Sequence, residues 1–277
     1  MKKVVTIQDI SCFGKCSLTV ALPIISAMGI ETAIIPTAVL STHTGGFKDF
    51  TFRDLTNDIP NIVNHWKSLN LKFDAIYTGY LGSKEQIQIV SEFFDSFGND
   101  SNFIVVDPAM ADNGNLYYGF TNEFVAEMAK LCSKADYIIP NMTEASFMLN
   151  IPYIENYDQA YAENILRKLA ELGCPTPILT GVHYDDKEQG AMAYDSVNDK
   201  FYSSFRNNID ASVHGTGDIF SSAFTGAITL GKSLQKSLDI AVNYTVDCIE
   251  ATLPHMDEMW YAACFESCIG NLLEYIK

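Results

Sequence analysis

The segment Gly215-Thr216-Gly217-Asp218 has the residue types and spacing of an anion-binding turn next to an acid–base group. Its two glycines permit a tight turn with bare backbone amides, and the apolar residues after it predict that a helix begins there. The unpaired N–H groups and the positive dipole end of such a helix suit a phosphate group or a developing negative charge. Asp218 could then take a proton from an attacking hydroxyl. The alternative is a simple glycine turn with an acidic residue in the first helical turn, and these four residues alone do not separate the two.

Polar side chains also follow three predicted strands, at the point where each strand ends. They are Asp107 after Phe103–Val106, Asn141 and Glu144 after Tyr137–Pro140, and Thr180 at the end of Pro177–Thr180. A carboxylate at a strand end suits Mg²⁺, directly or through water, and a threonine hydroxyl can reach a phosphate. The alternative for Asn141 and Glu144 is a plain helix N-cap with its capping-box partner. Together with the glycine turn, these strand ends predict a nucleotide and metal site.

A second phosphate-binding motif matches in sequence but lacks the structural context that it requires. Residues Gly226–Ser233 match G-x-x-x-x-G-K-[ST] exactly in sequence. A P-loop needs a strand before it and a helix after it, whereas the residues before Gly226 already have a helical pattern. We therefore expect the match to be accidental, with Gly231 ending the helix.

The elements that must position these residues alternate between strand and helix. The predicted strands are Lys3–Ile7, Glu31–Leu40, Phe73–Thr78, Phe103–Val106, Tyr137–Pro140 and Pro177–Thr180, followed by a hairpin of Ala191–Asp195 and Lys200–Ser204. The predicted helices are Cys16–Met28, Leu55–Leu69, Ser83–Phe97, Thr121–Cys132, Asp158–Leu172 and almost everything from Thr216 onwards. This alternation predicts one α/β domain over residues 1–277, with a mostly parallel sheet covered by helices on both faces. The polar, glycine-rich stretches follow the strands, where open α/β sheets bind ligands.

Composition and charge limit the partners. Lys and Arg number 18 against 34 Asp and Glu, giving a net charge of −16, so we expect neither nucleic acid nor an anionic membrane surface as a partner. No apolar run approaches the roughly 18 residues of a membrane span. The first residues turn polar too soon for a signal peptide, and the seven cysteines form no C-x-x-C pair. These features predict a cytoplasmic protein with reduced thiols.

Five motifs in this order resemble those of the pyridoxal kinases of the ribokinase-like superfamily. They are Ser41-Thr42-His43-Thr44-Gly45, Gly79-Tyr80-Leu81-Gly82, Asp107-Pro108-Ala109-Met110, Asn141–Glu144 and Gly215–Asp218. The Gly-Thr-Gly-Asp signature is shared by the superfamily, whereas the first two motifs point to its vitamin B6 branch. The resemblance spans nearly the whole chain.

The resemblance implies ATP-dependent phosphorylation of the 5′-hydroxymethyl group of pyridoxal, pyridoxamine or pyridoxine. It also implies Mg²⁺ and a homodimer, and it leaves a monovalent-cation requirement open. The implied roles are a base at Asp218, an anion hole at Gly215, Thr216 and Gly217, Mg²⁺ ligation by Asp107 and Glu144, ATP contacts from Asn141, Glu144, Thr180 and Thr216, substrate contacts from Asp9, Ser11, Thr44 and Tyr80, and a flap at Ala109–Tyr118.

Two segments depart from the family pattern. Where many relatives carry Gln-Ser-His, this chain has Gln8-Asp9-Ile10-Ser11. Asp9 could pair with a protonated pyridine nitrogen or with the amine of pyridoxamine, so the preferred vitamer is left open. Relatives often carry glycine where this chain has Ala111, and its loss predicts a stiffer flap.

Three other functions are alternatives. A sister kinase for hydroxymethylpyrimidine or a sugar would use the same glycine turn and differ only in its ring pocket. A nucleotide-binding protein without turnover would share the fold. A dinucleotide oxidoreductase is disfavoured, because the first strand leads into Gln8–Gly14 rather than into G-x-G-x-x-G.

Overall fold

The computed structural model describes residues 1–277 and is built around one nine-stranded sheet. The strands are β1 (Lys3–Ser11), β2 (Glu31–Leu40), β3 (Phe52–Asp54), β4 (Ala75–Thr78), β5 (Phe103–Val106), β6 (Ala111–Asp112), β7 (Asn115–Leu116), β8 (Tyr137–Ile138), β9 (Thr176–His183), β10 (Glu188–Asp195) and β11 (Lys200–Asn207). The helices are α1 (Leu18–Ala27), α2 (Ile59–Ser68), α3 (Lys84–Phe97), α4 (Asn122–Cys132), α5 (Met142–Met148), α6 (Gln159–Glu171), α7 (Thr216–Thr229), α8 (Leu234–Thr252) and α9 (Ile269–Tyr275). Two 3₁₀ turns lie at Leu253–His255 and Phe265–Cys268.

The strand order is β11-β10-β9-β8-β5-β4-β1-β2-β3, and β6 and β7 form a separate small hairpin. The six strands from β9 to β2 run parallel. Antiparallel strands close both edges, with β3 on β2 and the β10–β11 hairpin on β9. The predicted α/β fold with a mostly parallel sheet is therefore confirmed.

Alternate residues of the central strands pack into two separate cores, one on each face of the sheet. In β1, Val5 and Ile7 join a cluster of 36 buried residues that includes α3, α4 and α6, whereas Val4 joins a cluster of 31 that includes α1, α7 and α8. Because successive strand side chains point to opposite faces, a strand buried on both faces is apolar at almost every position. Helices thus cover both faces, as the sequence predicts.

Three elements differ from the sequence-based expectation: β1, the edge strand β3, which the sequence does not predict, and the segment Leu253–Cys268. β1 continues to Ser11 through an irregularity between Gln8 and Ile10, so Asp9 lies on a strand and not in the predicted loop. The prediction of an almost continuous helix after Thr216 is wrong for Leu253–Cys268, where Pro254 and a run of aromatic residues interrupt the helix.

The accidental phosphate motif lies where expected, with Gly226 inside α7 and Gly231 just after its end at a φ of +82°. Gly226 packs against the thioether of Met28, the residue that caps the end of α1, so its lack of a side chain serves helix packing. All seven cysteines are free thiols. No helix in this fold combines the length and apolarity needed to cross a bilayer.

Candidate active site

A cavity of about 440 Å³ opens at the carboxyl ends of the parallel strands. One half is lined by residues on or just after β1, β2 and β4: Asp9, Ser11, Thr44 and Tyr80. The other half is lined by residues after β5 and β8 and on β9: Asp107, Asn141, Glu144 and Thr180. Since β4 lies between β1 and β5, the sheet order itself separates the two halves.

The first turn of α7 lies between these halves. Gly215 caps the helix in the left-handed region at a φ of +84°, where any other residue would be strained. A Cβ at this position would also lie 3.0 Å from the carbonyl oxygen of Lys15. Gly217 faces open space, so its backbone can approach a ligand closely. The helix start therefore offers bare amides and a positive dipole end to the cavity.

Asp218 lies half-buried at this helix start and lines the cavity. Its Oδ2 accepts a hydrogen bond from the backbone amide of Ser17 at 3.0 Å. Burial raises the pKa of Asp218 to about 7, and the negative charges of Asp107 and Asp9 act in the same direction against the Ser17 hydrogen bond. A carboxyl group with a pKa near neutrality is suited to accept a proton from an alcohol.

Asp107 and Glu144 are two buried carboxylates in the second half of the cavity. Asp107 accepts a hydrogen bond from Oγ of Ser221 at 2.8 Å. Glu144 accepts from the amides of Met110 and Asn141, each at 2.9 Å. Burial raises the pKa of both groups, and in Glu144 the neighbouring charge of Asp107 raises it further.

The flap predicted at Ala109–Tyr118 contains the β6–β7 hairpin, turning at Asn113 and Gly114, both with positive φ. Asn and Gly in succession are the residues that such a tight hairpin turn prefers. The hairpin is tied to the start of α5: Nδ2 of Asn141 donates to the Ala111 carbonyl at 2.9 Å, and the Gly114 amide donates to Oγ1 of Thr143 at 3.1 Å. The reciprocal capping box of Asn141 and Glu144 is present, and both residues also line the cavity, so the cap and the cavity lining are the same side chains.

In the first half of the cavity, Asp9 is only 5 % exposed and accepts a hydrogen bond from Oγ of Ser11 at 3.2 Å. Tyr80 packs its ring on Phe120, with centroids 5.7 Å apart. Burial, followed by the charge of Asp9, raises the pKa of Tyr80 to about 12, so the phenol stays protonated and can donate. Thr44 completes this half. The group combines a carboxylate, hydroxyls and an aromatic ring, which suits a small polar ring.

His43 fixes the loop that carries Thr44. Its Nδ1 accepts from the amide of Gly45 at 3.0 Å, so Nε2 carries the proton and donates to the carbonyl of Tyr261 at 2.7 Å. Burial lowers the pKa of His43, which agrees with a neutral ring held between two backbone groups. Both nitrogens are engaged, so the imidazole is a structural link between the β2–β3 loop and the C-terminal segment.

The structure brings together every predicted site residue except one. Asp9, Ser11, Thr44, Tyr80, Asp107, Asn141, Glu144, Thr180, Gly215, Gly217 and Asp218 all line the cavity. Thr216 is the exception, because its hydroxyl donates to the Val213 carbonyl at 3.3 Å instead. Ser17 and Ser221 were not predicted. Ser221 could have been found, since it follows Asp218 by three positions on α7 and so shares its face.

The donor set of the second half fits a hard divalent cation. Asp107 and Glu144 supply carboxylate oxygens, and no lysine or arginine lines the cavity to neutralise them. No group of three or more His, Cys, Asp or Glu residues could enclose an ion. This matches Mg²⁺, which is usually held by one or two carboxylates with the remaining positions filled by water and phosphate oxygens.

Comparisons with known proteins agree with this geometry. A crystal structure with pyridoxal of a Bacteroides thetaiotaomicron protein, described as a candidate phosphomethylpyrimidine kinase, is 40% identical and superposes with a TM-score of 0.92 over 98% of this chain and 95% of that one. The pyridoxal kinase of Lactobacillus plantarum is 28% identical, with a TM-score of 0.91 over 99% and 97% of the two chains. A pyridoxine/pyridoxal/pyridoxamine kinase of Bordetella avium is 25% identical over 90% of this chain and 85% of its own length.

The resemblance to pyridoxal kinases is thereby confirmed, as is the prediction that the chain is a kinase. The profile of the phosphomethylpyrimidine kinase family matches residues 22–259, which hold most of the cavity-lining residues from Leu40 to Ser221. The ends of the parallel strands, the capped start of α7 and this match converge on one assignment: the chain belongs to the phosphomethylpyrimidine kinase family.

Proposed function

We propose that this protein transfers the γ-phosphoryl group of ATP to the 5′-hydroxymethyl group of a vitamin B6 vitamer: pyridoxal, pyridoxamine or pyridoxine. One observation carries the proposal: Asp218 lies at the capped start of α7, between a half-cavity suited to a polar ring and a half-cavity suited to Mg²⁺-bound phosphates. The pyridoxal-bound relative and the two relatives named as B6 kinases support the choice of acceptor.

In this proposal the ring of the acceptor lies among Asp9, Ser11, Thr44 and Tyr80, with its hydroxymethyl group directed at Asp218. The alcohol oxygen attacks the γ-phosphorus, the bond to the leaving ADP oxygen breaks, and the alcohol proton passes to the Asp218 carboxylate. The backbone amides from Gly215 to Gly217 stabilise negative charge on the transferring group. Positioning and charge stabilisation supply most of the acceleration in such a transfer.

Nucleotide binding is assigned to the second half of the cavity. Asn141 and Thr180 would contact the ATP phosphates, and Asp107 and Glu144 would hold Mg²⁺ directly or through water. When bound, Mg²⁺ neutralises phosphate charge and orients the phosphate chain. Thr216 contributes through its backbone, because its hydroxyl is bonded to Val213. The acidic lining is compatible with a monovalent cation, and ADP release measured with and without K⁺ tests that requirement.

An ADP-release assay tests the function. Pyridoxal, pyridoxamine, pyridoxine, hydroxymethylpyrimidine and ribose are each offered with ATP and Mg²⁺, with and without K⁺. We expect the highest kcat/KM with a B6 vitamer. The family name makes hydroxymethylpyrimidine the second candidate, and a higher kcat/KM for it would reassign the acceptor. Tight ATP binding without ADP release on any alcohol would favour a nucleotide-binding protein.

We further propose that residues 1–277 act as one kinase domain, as a homodimer in the cytoplasm. The continuous nine-stranded sheet supports a single domain, and the seven free cysteines support a reducing compartment. The homodimer rests on the family resemblance. Light scattering coupled to size exclusion tests it, since a monomer of 30.7 kDa and its dimer are easily separated.

A further inference from the structure

The charge balance of the cavity is one-sided. Five carboxylates line it and no lysine or arginine does: Asp9, Asp107, Asp112, Glu144 and Asp218. The nearest lysine in the β1–α1 loop, Lys15, is turned away and pairs with Glu266 at 2.8 Å. His43 has both ring nitrogens bonded to backbone groups. Apart from the two histidines of the lining, His43 and His214, the cavity holds no side chain that can carry a positive charge, so most of the positive charge that these carboxylates need must come from ligands.

Asp9 stands apart from the other four. Asp107, Asp112 and Glu144 lie in the half assigned to Mg²⁺ and phosphate, and Asp218 is placed at the reacting alcohol. Asp9 lies in the ring half, on β1, two strands away from β5 in the sheet. A divalent cation held at the phosphate end leaves it without a counter-ion.

The surroundings of Asp9 are arranged to keep a carboxylate without supplying a cation. Hydroxyl groups of Ser11 and Ser17 lie on it, and hydroxyl hydrogen bonds to a carboxylate favour its charged form. Tyr80 is the aromatic neighbour, and the remaining charged group nearby is the like-charged Asp218. Burial acts against these hydrogen bonds and raises the pKa of Asp9. A buried carboxylate in this state gains most from a ligand that brings a positive charge.

We propose that Asp9 is the counter-ion of a protonated nitrogen on the acceptor, so that the ring half of the cavity selects cationic substrates. This inference rests on the kinase function proposed above and specifies its substrate class. Two nitrogens of a B6 vitamer share the required chemistry: the pyridinium N–H of the ring and the ammonium of the aminomethyl group in pyridoxamine. A sugar, which carries neither, would leave Asp9 unpaired.

The variant Asp9→Asn tests this, because it keeps size and hydrogen-bonding capacity while removing the charge. We expect KM for pyridoxamine to rise about 10- to 100-fold, the range for losing a charged hydrogen bond, with a smaller change in kcat. If the ring nitrogen is the partner, KM for pyridoxine and for pyridoxal rises by the same factor as KM for pyridoxamine. If the amine is the partner, the loss is confined to pyridoxamine. The matched control is Asp58→Asn, at an exposed position just before α2 and outside the cavity lining, which should leave KM for the vitamers unchanged.

Calorimetric binding of pyridoxamine without nucleotide separates this inference from the kinase proposal. If the wild type binds pyridoxamine and Asp9→Asn binds it more weakly, the counter-ion role is supported. This holds even if neither protein releases ADP, a result that would reject only the kinase function. Equal KM values in wild type and variant, or equal binding including none in either, would overturn the counter-ion. Asp9→Ser, which keeps a polar hydroxyl but removes the carboxylate, provides a second variant should Asp9→Asn fold poorly.

Discussion

The backbone amide of Ser17 donates a hydrogen bond to Oδ2 of Asp218 at 3.0 Å, joining residues 201 positions apart in the chain. Ser17 holds this amide in place with a φ of 53° and a ψ of −123°, a backbone conformation that serine rarely adopts. Such conformations cost on the order of 1–3 kcal/mol and persist only where the surroundings enforce them. Here the loop before α1 is shaped so that one amide points at the carboxylate of α7.

This hydrogen bond sets the orientation of Asp218 and lowers the pKa of its carboxyl group. Burial and two neighbouring carboxylates favour the protonated acid, whereas the Ser17 amide favours the ionised form. The side chain of Ser17 forms a hydrogen bond with Asp9. Ser17 therefore contacts two carboxylates, Asp218 through its backbone amide and Asp9 through its hydroxyl group. The proposed base and the proposed counter-ion are thus positioned together.

The substitution Asp218→Asn removes the proposed proton acceptor and keeps the shape of the side chain. We expect kcat for the vitamer to fall at least ~10²-fold, the lower end of what general base catalysis contributes. ADP release under saturating ATP and vitamer measures it. Turnover near that of the wild type would reject Asp218 as the base.

The same variant should have a larger free energy of unfolding than the wild type above pH 7, and this measurement would also show that the variant folds. The pKa of Asp218 is raised in the folded protein, so its contribution to stability is present below the unfolded pKa of about 4 and is lost as the pH rises through about 7. At pH 8 the asparagine avoids that cost, and we expect a gain on the order of 1–3 kcal/mol in urea unfolding. The gain should shrink near pH 5; a loss of stability at pH 8 would mean that the Ser17 bond outweighs burial.

A second prediction concerns the pH dependence of catalysis. Because the base must be ionised and its pKa is about 7, we expect kcat/KM for the vitamer to fall as the pH drops below about 7. The negative charge of Asp9 raises this pKa, so Asp9→Asn should move the acid limb to lower pH. Rate profiles of both proteins between about pH 5.5 and 9 check the prediction. A flat wild-type profile, or a limb that moves upwards in the variant, would contradict it.

Local patterns accounted for much of the fold. The helices predicted to begin at Thr121 and Asp158, and the apolar strands β2 and β5, could be predicted because each depends on neighbouring residues only. The short edge strand β3 was missed, since its three exposed residues have no apolar pattern and pair with β2 only in the folded sheet. The composition from Leu253 to Cys268 predicts helix, although the path of this segment follows from its packing against α8.

The site shows the same division. Glycines, strand-end carboxylates and the capping box were visible because their chemistry is carried by residues close in sequence. Ser17 was not, because its amide meets Asp218 only after α1 and α7 pack together. The contact of Ser11 with Asp9 also depended on β1 extending further than its apolar run, which brings two residues of one strand face to the cavity.

A third prediction follows from the absence of cationic side chains in the cavity. ATP carries several negative charges and would meet five carboxylates with only the α7 start to attract it. We therefore expect ATP affinity to fall at least ~10²-fold when Mg²⁺ is removed with EDTA, a loss of about 3 kcal/mol. Equilibrium binding of a fluorescent ATP analogue measures this. Adenosine is the control, because it lacks phosphates and should bind equally with and without Mg²⁺; unchanged ATP affinity would contradict the prediction.

The last prediction concerns His43, which is 6 % exposed and joins the Thr44 loop to the C-terminal segment. His43→Ala removes two hydrogen bonds to backbone groups, so we expect a loss of about 1–3 kcal/mol in urea unfolding. Because Thr44 is placed on the acceptor and not on the nucleotide, KM for the vitamer should rise several-fold, while KM for ATP stays unchanged.

The matched control is His65→Ala, at an exposed position of α2, which should alter neither stability nor KM. A pH profile of kcat/KM separates a structural link from acid–base chemistry. Because a neutral imidazole held by two backbone groups takes no part in proton transfer, the acid limb of the His43→Ala profile should coincide with that of the wild type. A limb that disappears in the variant would instead make His43 a participant in proton transfer, and the loop would then have to be regarded as part of the reacting site.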